Sequence, residues 1–473
     1  MKKRLFTTAD GRNHVVTFAL VSSLFLLWGF CNGMIDVMDR HFQEALHLTL
    51  SQSAWVQFAH YLGYFLMALP AGWLATKLGY KGGIIFGLLM VALGGFWFIP
   101  ATHIASFWAF LLGVCLIASG LTFLETIANP YTTVLGPKEY GATRINLAQS
   151  CNGIGWVFGP IVGAQYFYSK NAAGQSTGSE TLWIPYAAVG LVVVILAVIF
   201  LFSKVPDIKV EDDYHLDDST SGVSRSIWSH PHFIMAVVSR FFYVAAQAGI
   251  FSFFINYMIT EPPAIPASWD TAMGNASASV SHFLESIPHW LGWPLPWGPN
   301  WLLGWFETNK QGLLSISNKG ASNLASVGFI WFLLGRFIGA GLLKKYAAHK
   351  VLGIYALLNI VACLLISLKL GWLAVASVFL SYFFMSIMFP TIFALGIHGL
   401  GTRAKKASSF IVMAIMGGAV LPKLMGHLAD VHGMSCAFVV PMGCFMVVAF
   451  YGFSWTRLSK SGAIVGLPSS GSH

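Results

Sequence analysis

Long apolar runs separated by short polar connectors make up nearly the whole chain. A helix needs about 20 apolar residues to cross a bilayer. Twelve runs of that kind can be read, at about 15–38, 54–76, 83–101, 105–132, 144–168, 182–203, 233–260, 320–343, 350–369, 371–397, 406–428 and 434–457. Two polar stretches break the rhythm. Residues 204–232, which contain EDDYHLDD, read as a linker between two six-helix halves, 1–203 and 233–460. Residues 261–318 form an insertion after the seventh run, rich in Trp and Pro, and 461–473 form a tail. The pattern predicts an all-α integral membrane protein with 12 transmembrane helices in two pseudo-symmetric six-helix bundles.

The halves echo one another. Asn129-Pro130 is followed by Leu135-Gly136, and Phe389-Pro390 by Leu395-Gly396, with the same Pro-to-Gly distance of six residues and an offset of 260. The fifth run carries Gly159-Pro160 and the eleventh Leu421-Pro422. Proteins built from two such repeats hold their substrate at mid-membrane, between the repeats. Gly155, Gly159 and Gly163 recur every four residues, a spacing that lets two helix backbones approach closely.

Composition narrows the function. Of 473 residues, 56% are hydrophobic and 10% charged, against roughly 25% charged in soluble domains. A soluble enzyme, a disordered chain and a nucleic-acid binder are thereby excluded. The net charge of +9 has a membrane explanation. With the N-terminus inside, the inner connectors hold 19 basic residues and the outer ones 5, while Arg240, Arg336 and Lys423 lie within or at the edge of runs. This bias places both termini in the cytoplasm. The leading MKKRLFTTADGRNH is basic and polar, and no cleavage pattern follows the first run, so that run reads as a retained span. Six scattered cysteines, none in a C-x-x-C spacing, read as small buried hydrophobes.

Catalytic signatures are missing. No GxxxxGK[ST] or HExxH occurs, Gly153-Ile-Gly155 follows no strand, and His230-Pro-His232 reads as a solvated pair. The expectation is a non-enzyme without cofactor or metal, energised by an ion gradient or by the solute's own gradient. Charge inside lipid is costly, at least ~2.5 kcal/mol for an Asp at a helix centre. Of the 18 acidic residues, Asp36 and Glu125 fall within runs and are the candidate proton carriers. A carboxylate in apolar surroundings favours its protonated form, so it can load and unload near neutrality. The alternatives are an interfacial carboxylate for Asp36 and a structural ion pair with a buried Arg for Glu125.

A sugar presents hydroxyls and apolar C–H faces, which call for amides and aromatics. Asn32, Gln149, Asn152 and Gln247 are amides in apolar runs, and Gln149 and Asn152 share a helix face. Trp28, two turns before Asp36, and Phe389, next to Pro390, are candidate stacking rings. Each has an ordinary alternative: interhelical hydrogen bonding for the amides, packing for the rings. In the insertion, Trp290, Trp293, Trp297, Trp301 and Trp305 are spaced by three or four, as in an amphipathic segment lying on the outer surface. A spacer without function is the alternative.

The stretches SLFLLWGFCNGMIDVMDRHF, GYFLMALPAGWLATKLGYKGGIIFGLLM, GLTFLETIANPYTTVLGP, RINLAQSCNGIG, FFYVAAQAGIFSFFINY, GRFIGAGLLKKYAAHKVLGIYAL, SIMFPTIFALGIHGLG and SSFIVMAIMGGAVLP cover nearly all of both halves. The chain resembles a major facilitator superfamily transporter of the fucose–galactose–glucose:proton symporter family. The resemblance implies proton-coupled import of a neutral hexose by alternating access. It also implies a bacterial inner membrane, a lipid bilayer as surroundings and a monomeric carrier. Proton coupling falls on Asp36 and Glu125, with Glu125 also near the sugar; Trp28, Gln149 and Asn152 fall on the central cavity. The chain departs from the family pattern at Gly33, where an amide is usual, at Phe389, where a Tyr is usual, and in the insertion. Glucose, galactose and N-acetylglucosamine are therefore implied as readily as fucose. Sodium-coupled or facilitative sugar transport is the alternative function, with a membrane enzyme acting on a lipid-linked sugar behind it.

Overall fold

A computed structural model of the chain describes residues 6–7, 13–136, 141–168, 178–203, 227–285, 304–308, 312–400 and 404–460. Most of the 204–232 linker, the 461–473 tail and Trp290, Trp293, Trp297 and Trp301 lie outside the described residues.

The first half consists of α1 (Val15–Ala45), a single turn α2 (Leu50–Ser53), α3 (Trp55–Ile104), α4 (Phe107–Val134), α5 (Gly141–Phe167), the short α6 (Gly178–Thr181) and α7 (Trp183–Phe202). Helix α3 contains two passes. They are joined at Gly79, whose φ of 68° lies in the left-handed region that a residue without Cβ enters freely. The second half consists of α8 (Pro231–Thr260), α9 (Ala267–Glu285), α10 (Asn318–Lys345), α11 (Ala348–Ser367), α12 (Trp372–Met385), α13 (Met388–Ile397), α14 (Ala404–Met413), α15 (Gly417–His432), α16 (Met434–Ala437) and α17 (Val439–Ser459). Helices α12 and α13 form one interrupted pass. Pro390 offers no N–H to the carbonyl of Ser386, and the break falls at Ser386 and Ile387. A turn of 3₁₀ helix at Ala414–Met416 likewise joins α14 to α15. Among the described residues the count of passes is twelve, six to a half, as the hydrophobic pattern predicts.

In each half the helices bury one stripe and leave another apolar. Leu89, Leu93, Leu191, Ile195, Phe337 and Phe450 are exposed leucines, isoleucines and phenylalanines on the perimeter, the side that faces hydrocarbon in a bilayer. The halves meet through α5 against α10, and through α3 and α2 against α15, with α1 against α8 between them. The first two pairings are the same contact repeated by the internal pseudo-symmetry.

Helices α1 and α5 touch backbone to backbone. A Cβ on Gly33 would come within 2.9 Å of the Trp156 carbonyl oxygen, and Gly159 lies against Gly33 itself. The small-residue repeat on α5 thus does what its spacing predicts. It also explains Gly33: the position lies in a helix crossing, where an amide side chain has no room.

The insertion is built onto the second half. Trp269 of α9 packs against Trp372 of α12 with ring centroids 5.1 Å apart. Strands β1 (Phe306–Thr308) and β2 (Leu314–Ile316) pair antiparallel, and Trp305 beside them accepts a hydrogen bond from the Ser317 amide at 2.9 Å.

Candidate functional site

The middle of the bundle holds a crevice shared by both halves. Asn32, Ile35 and Asp36 come from α1, Gln57, His60 and Tyr61 from α3, Trp156 from α5, and Ala248 and Phe251 from α8. Its volume is about 20 Å³, room for a single water, so a hexose enters only after the halves part.

Asp36 is 5% exposed and accepts a hydrogen bond from Gln57 Nε2 at 2.9 Å. The interfacial alternative for this carboxylate fails, because α1 continues to Ala45, two turns further than the apolar run suggests. The same extension carries Asp39 inward. Asp39 is fully buried and accepts a hydrogen bond from Ser252 of α8. Sequence reading placed it outside the first span because the run appeared to end at 38.

Glu125, on α4, lies close enough to Arg240 of α8 for their charges to attract across the interface between the halves. Tyr61 lines the crevice beside Asp36 and is near enough to Glu125 for that charge to act on its phenol as well.

The predicted sugar contacts divide. Asn32 lines the crevice, and its Oδ1 has no hydrogen-bond partner. Trp28 is half-buried on the same helix face and donates from Nε1 to Tyr64 Oη at 2.5 Å. Asn152 instead donates to the carbonyl of Phe25 at 3.2 Å, tying α5 to α1; it serves as interhelical glue in this conformation. Gln149 and Gln247 are half-buried on α5 and α8 and stand outside the crevice lining. Phe389 is engaged within its own half: its ring lies under the guanidinium of Arg240, and its carbonyl accepts from Arg240 Nη1. One face of this ring is therefore already occupied.

Sequence reading missed a stripe on α3. Gln57, His60, Tyr61 and Tyr64 fall at i, i+3, i+4 and i+7, so one helix face carries them all. That spacing was the available signal. A second stripe on α8, Arg240, Tyr243 and Gln247, has the same period. Tyr243 donates to the Met385 carbonyl at 3.0 Å, at the break before α13. No group of three or more potential metal ligands occurs among the described residues.

At the face opposite the chain termini the halves are fastened. Arg40 donates from Nε to Asn318 Oδ1 and from Nη1 to Asn256 Oδ1, both at 3.0 Å. Asn318 Nδ2 donates to Glu44 at 2.6 Å. Asp430 accepts from the amides of Leu50 and Ser51 at 2.9 Å each, so an acid of α15 sits on the N-terminus of α2.

Two six-helix repeats around a buried polar crevice define a polytopic carrier of small solutes. Within that class, the Major Facilitator Superfamily profile matches residues 17–281. The chain belongs to the major facilitator superfamily. It is 33% identical to the L-fucose-proton symporter of Escherichia coli K12 over 462 residues, covering 93% of each chain. It is 31% identical to a glucose/galactose transporter of Brucella abortus, covering 94% of this chain and 95% of that one. A crystal structure of the E. coli fucose:proton symporter superimposes with a TM-score of 0.63 at 31% identity, covering 94% of this chain and 99% of that one.

Proposed function

We propose that the protein imports a neutral hexose together with protons, by alternating access of one central site. The observation that carries this reading is Asp36: an acid buried in a crevice built by both halves, hydrogen-bonded by Gln57 and set beside the unpartnered Asn32 Oδ1. An acid there exchanges a proton when the crevice opens to water. The relatives, an L-fucose-proton symporter and a glucose/galactose transporter, support both the sugar and the proton.

The residues take the following roles. Asp36 and Glu125 carry the proton. Asn32, with Trp28, Gln149, Asn152, Gln247 and Phe389 around it, lines the path of the sugar once the halves part. The charge bias of the connectors supports termini in the cytoplasm of a bacterium, in its inner membrane. The face held shut by Arg40 and Asp430 is then the outer one. Opening it admits sugar and proton; closing it and parting the other face releases both. A single chain contains the whole site, which supports a monomer.

Proteoliposomes with an imposed inward proton gradient test the reading. Radiolabelled glucose, galactose, fucose and N-acetylglucosamine are offered singly, and external pH is followed. The expected result is concentrative uptake of at least one sugar, abolished by a protonophore and accompanied by external alkalinisation. Uptake that needs sodium, or that ignores both gradients, would replace this reading with the sodium-coupled or facilitative one.

A further inference from the structure

Asp39 has no part in the transport cycle above, although it is more deeply buried than Asp36. It stands three residues after Asp36, so both carboxylates project from one helix face. Asp36 lines the crevice; Asp39 lies one turn further out, next to Arg40 of the outer fastening. Its Oδ2 accepts a hydrogen bond from Ser252 of α8, across the seam between the halves. Its Oδ1 has no hydrogen-bond partner.

A buried charge is tolerated only where it is paired and hydrogen-bonded. Around Asp39 the means for this are spent. Arg40, next in sequence, attracts it, but the hydrogen bonds of the guanidinium go to Gln43, Glu44, Asn256 and Asn318. The nearby Gln43 and Ser53 are hydrogen-bonded to one another. Asp36, a like charge one turn away, repels it. The neighbouring elements do not compensate. Tyr168 of α5 is neutral, α8 presents Ser252 and Asn256, and α3 holds Gln57 and His60 in the crevice with Asp36. Glu125 of α4 is drawn to Arg240. With the seam closed, the form of Asp39 that fits is the neutral acid. Parting the seam takes Ser252 away, admits water and lets the carboxylate form.

We infer that Asp39 is a proton lock on the outer face: the halves close there only over a protonated Asp39, and this proton is taken from and returned to the outside without crossing the membrane. Alternating access keeps the outer seam shut while the inner face is open, so the proton on Asp39 has no route to the cytoplasm. That separates Asp39 from Asp36 and Glu125, whose protons travel with the sugar. The inference rests on the alternating-access reading and adds to it a proton site that is not part of the cargo. Acid outside, the condition that drives import, is then also the condition that shuts the outer face behind a bound sugar.

Nitroxide labels on Ala45→Cys and Leu370→Cys, exposed positions on the two halves, report the outward-open fraction by their separation. The protein is full-length and otherwise cysteine-free. Between about pH 5.5 and about pH 8.5 the open fraction is expected to rise at least ~threefold, because the ionised acid is excluded from the closed seam. Asp39→Asn should stay closed across that range, whereas Glu125→Gln should keep the response. Asp39→Ser is a second neutral variant should Asp39→Asn not fold. A separation that ignores pH with Asp39 in place would overturn the inference without any variant. So would a neutral variant that responds as the parent does, or loss of the response in Glu125→Gln. In proteoliposomes, the proton-to-sugar ratio, found by balancing a pH gradient against a sugar gradient, should be the same with Asp39 as with Asp39→Asn. A smaller ratio in the variant would make its proton part of the cargo and overturn the lock. A ratio of zero with Asp39 in place would instead remove the proton-coupled reading, and the pH response of the outer face would alone decide the lock.

Discussion

At mid-membrane the two halves carry opposite charges. The first half supplies Asp36 and Glu125; the second supplies Arg240 and Arg336. At the outer face both signs take part, with Arg40 and Asp430 each reaching to the other half. The difference is chemical as well as geometric. Carboxylates gain and lose protons, whereas an arginine stays charged. The half that can change its charge therefore faces a half that cannot. On the proposed cycle, protonating Glu125 weakens its attraction to Arg240, and with it the hold of one half on the other.

Removing the variable charge should have the largest effect. With a gradient of one pH unit, each proton carried supports up to about tenfold accumulation of sugar. Glu125→Gln is expected to abolish accumulation while sugar counterflow continues, measured side by side in proteoliposomes; full accumulation in this variant would take proton coupling away from Glu125. Next comes the pairing itself. Glu125→Gln leaves Arg240 with less compensation, and Arg240→Gln does the reverse. A double-mutant cycle on stability should give a coupling of about 0.5–3 kcal/mol, of the size found for contacting groups. Additive losses would mean that the two charges do not sense one another.

A smaller effect is expected at the outer face. Arg40→Ala removes hydrogen bonds to Asn256 and Asn318, at about 1 kcal/mol net for a typical bond, and should raise the outward-open population by up to roughly thirtyfold, about fivefold per bond. An impermeant maleimide acting on Ala248→Cys, in a cysteine-free background, reports that opening as faster labelling. Unchanged labelling would show that the hold of Asp430 of α15 on the amides of Leu50 and Ser51 suffices as a fastener. The smallest effect belongs to Phe389→Tyr, which adds the hydroxyl that the family resemblance leads one to expect there. Because the ring is already covered by Arg240, sugar affinity should change by less than about threefold, under ~0.7 kcal/mol. A larger gain would place the ring in direct contact with the sugar.

Much of this is legible in the amino-acid sequence. Apolar runs of about 20 residues have one stable solution in lipid, and the repeat of Pro and Gly at an offset of 260 marked the two halves. Asp36 and Glu125 stood out because acids are rare in such runs. Three things escaped. Asp39 lies just past the last strongly apolar position, and a helix does not stop where hydropathy falls. Arg240 and Arg336 were visible as charges within runs, but their meaning depends on what faces them from the other half. The stripe of Gln57, His60, Tyr61 and Tyr64 was in plain view and needed only to be tested for helical period. Asn152 shows the opposite case: an amide in an apolar helix is equally suited to a sugar and to a neighbouring backbone, and here it holds Phe25.

The glycine-lined crossing of α1 and α5 has a kinematic consequence. A joint with no play cannot act as a hinge, and Gly33 packed on Gly159 leaves none. Asp36 and Asn152 therefore sit on a single girder, and the tight crossing favours their moving as one body. The gap that varies is the one between that girder and α8, where Arg240 waits on the opposite bank.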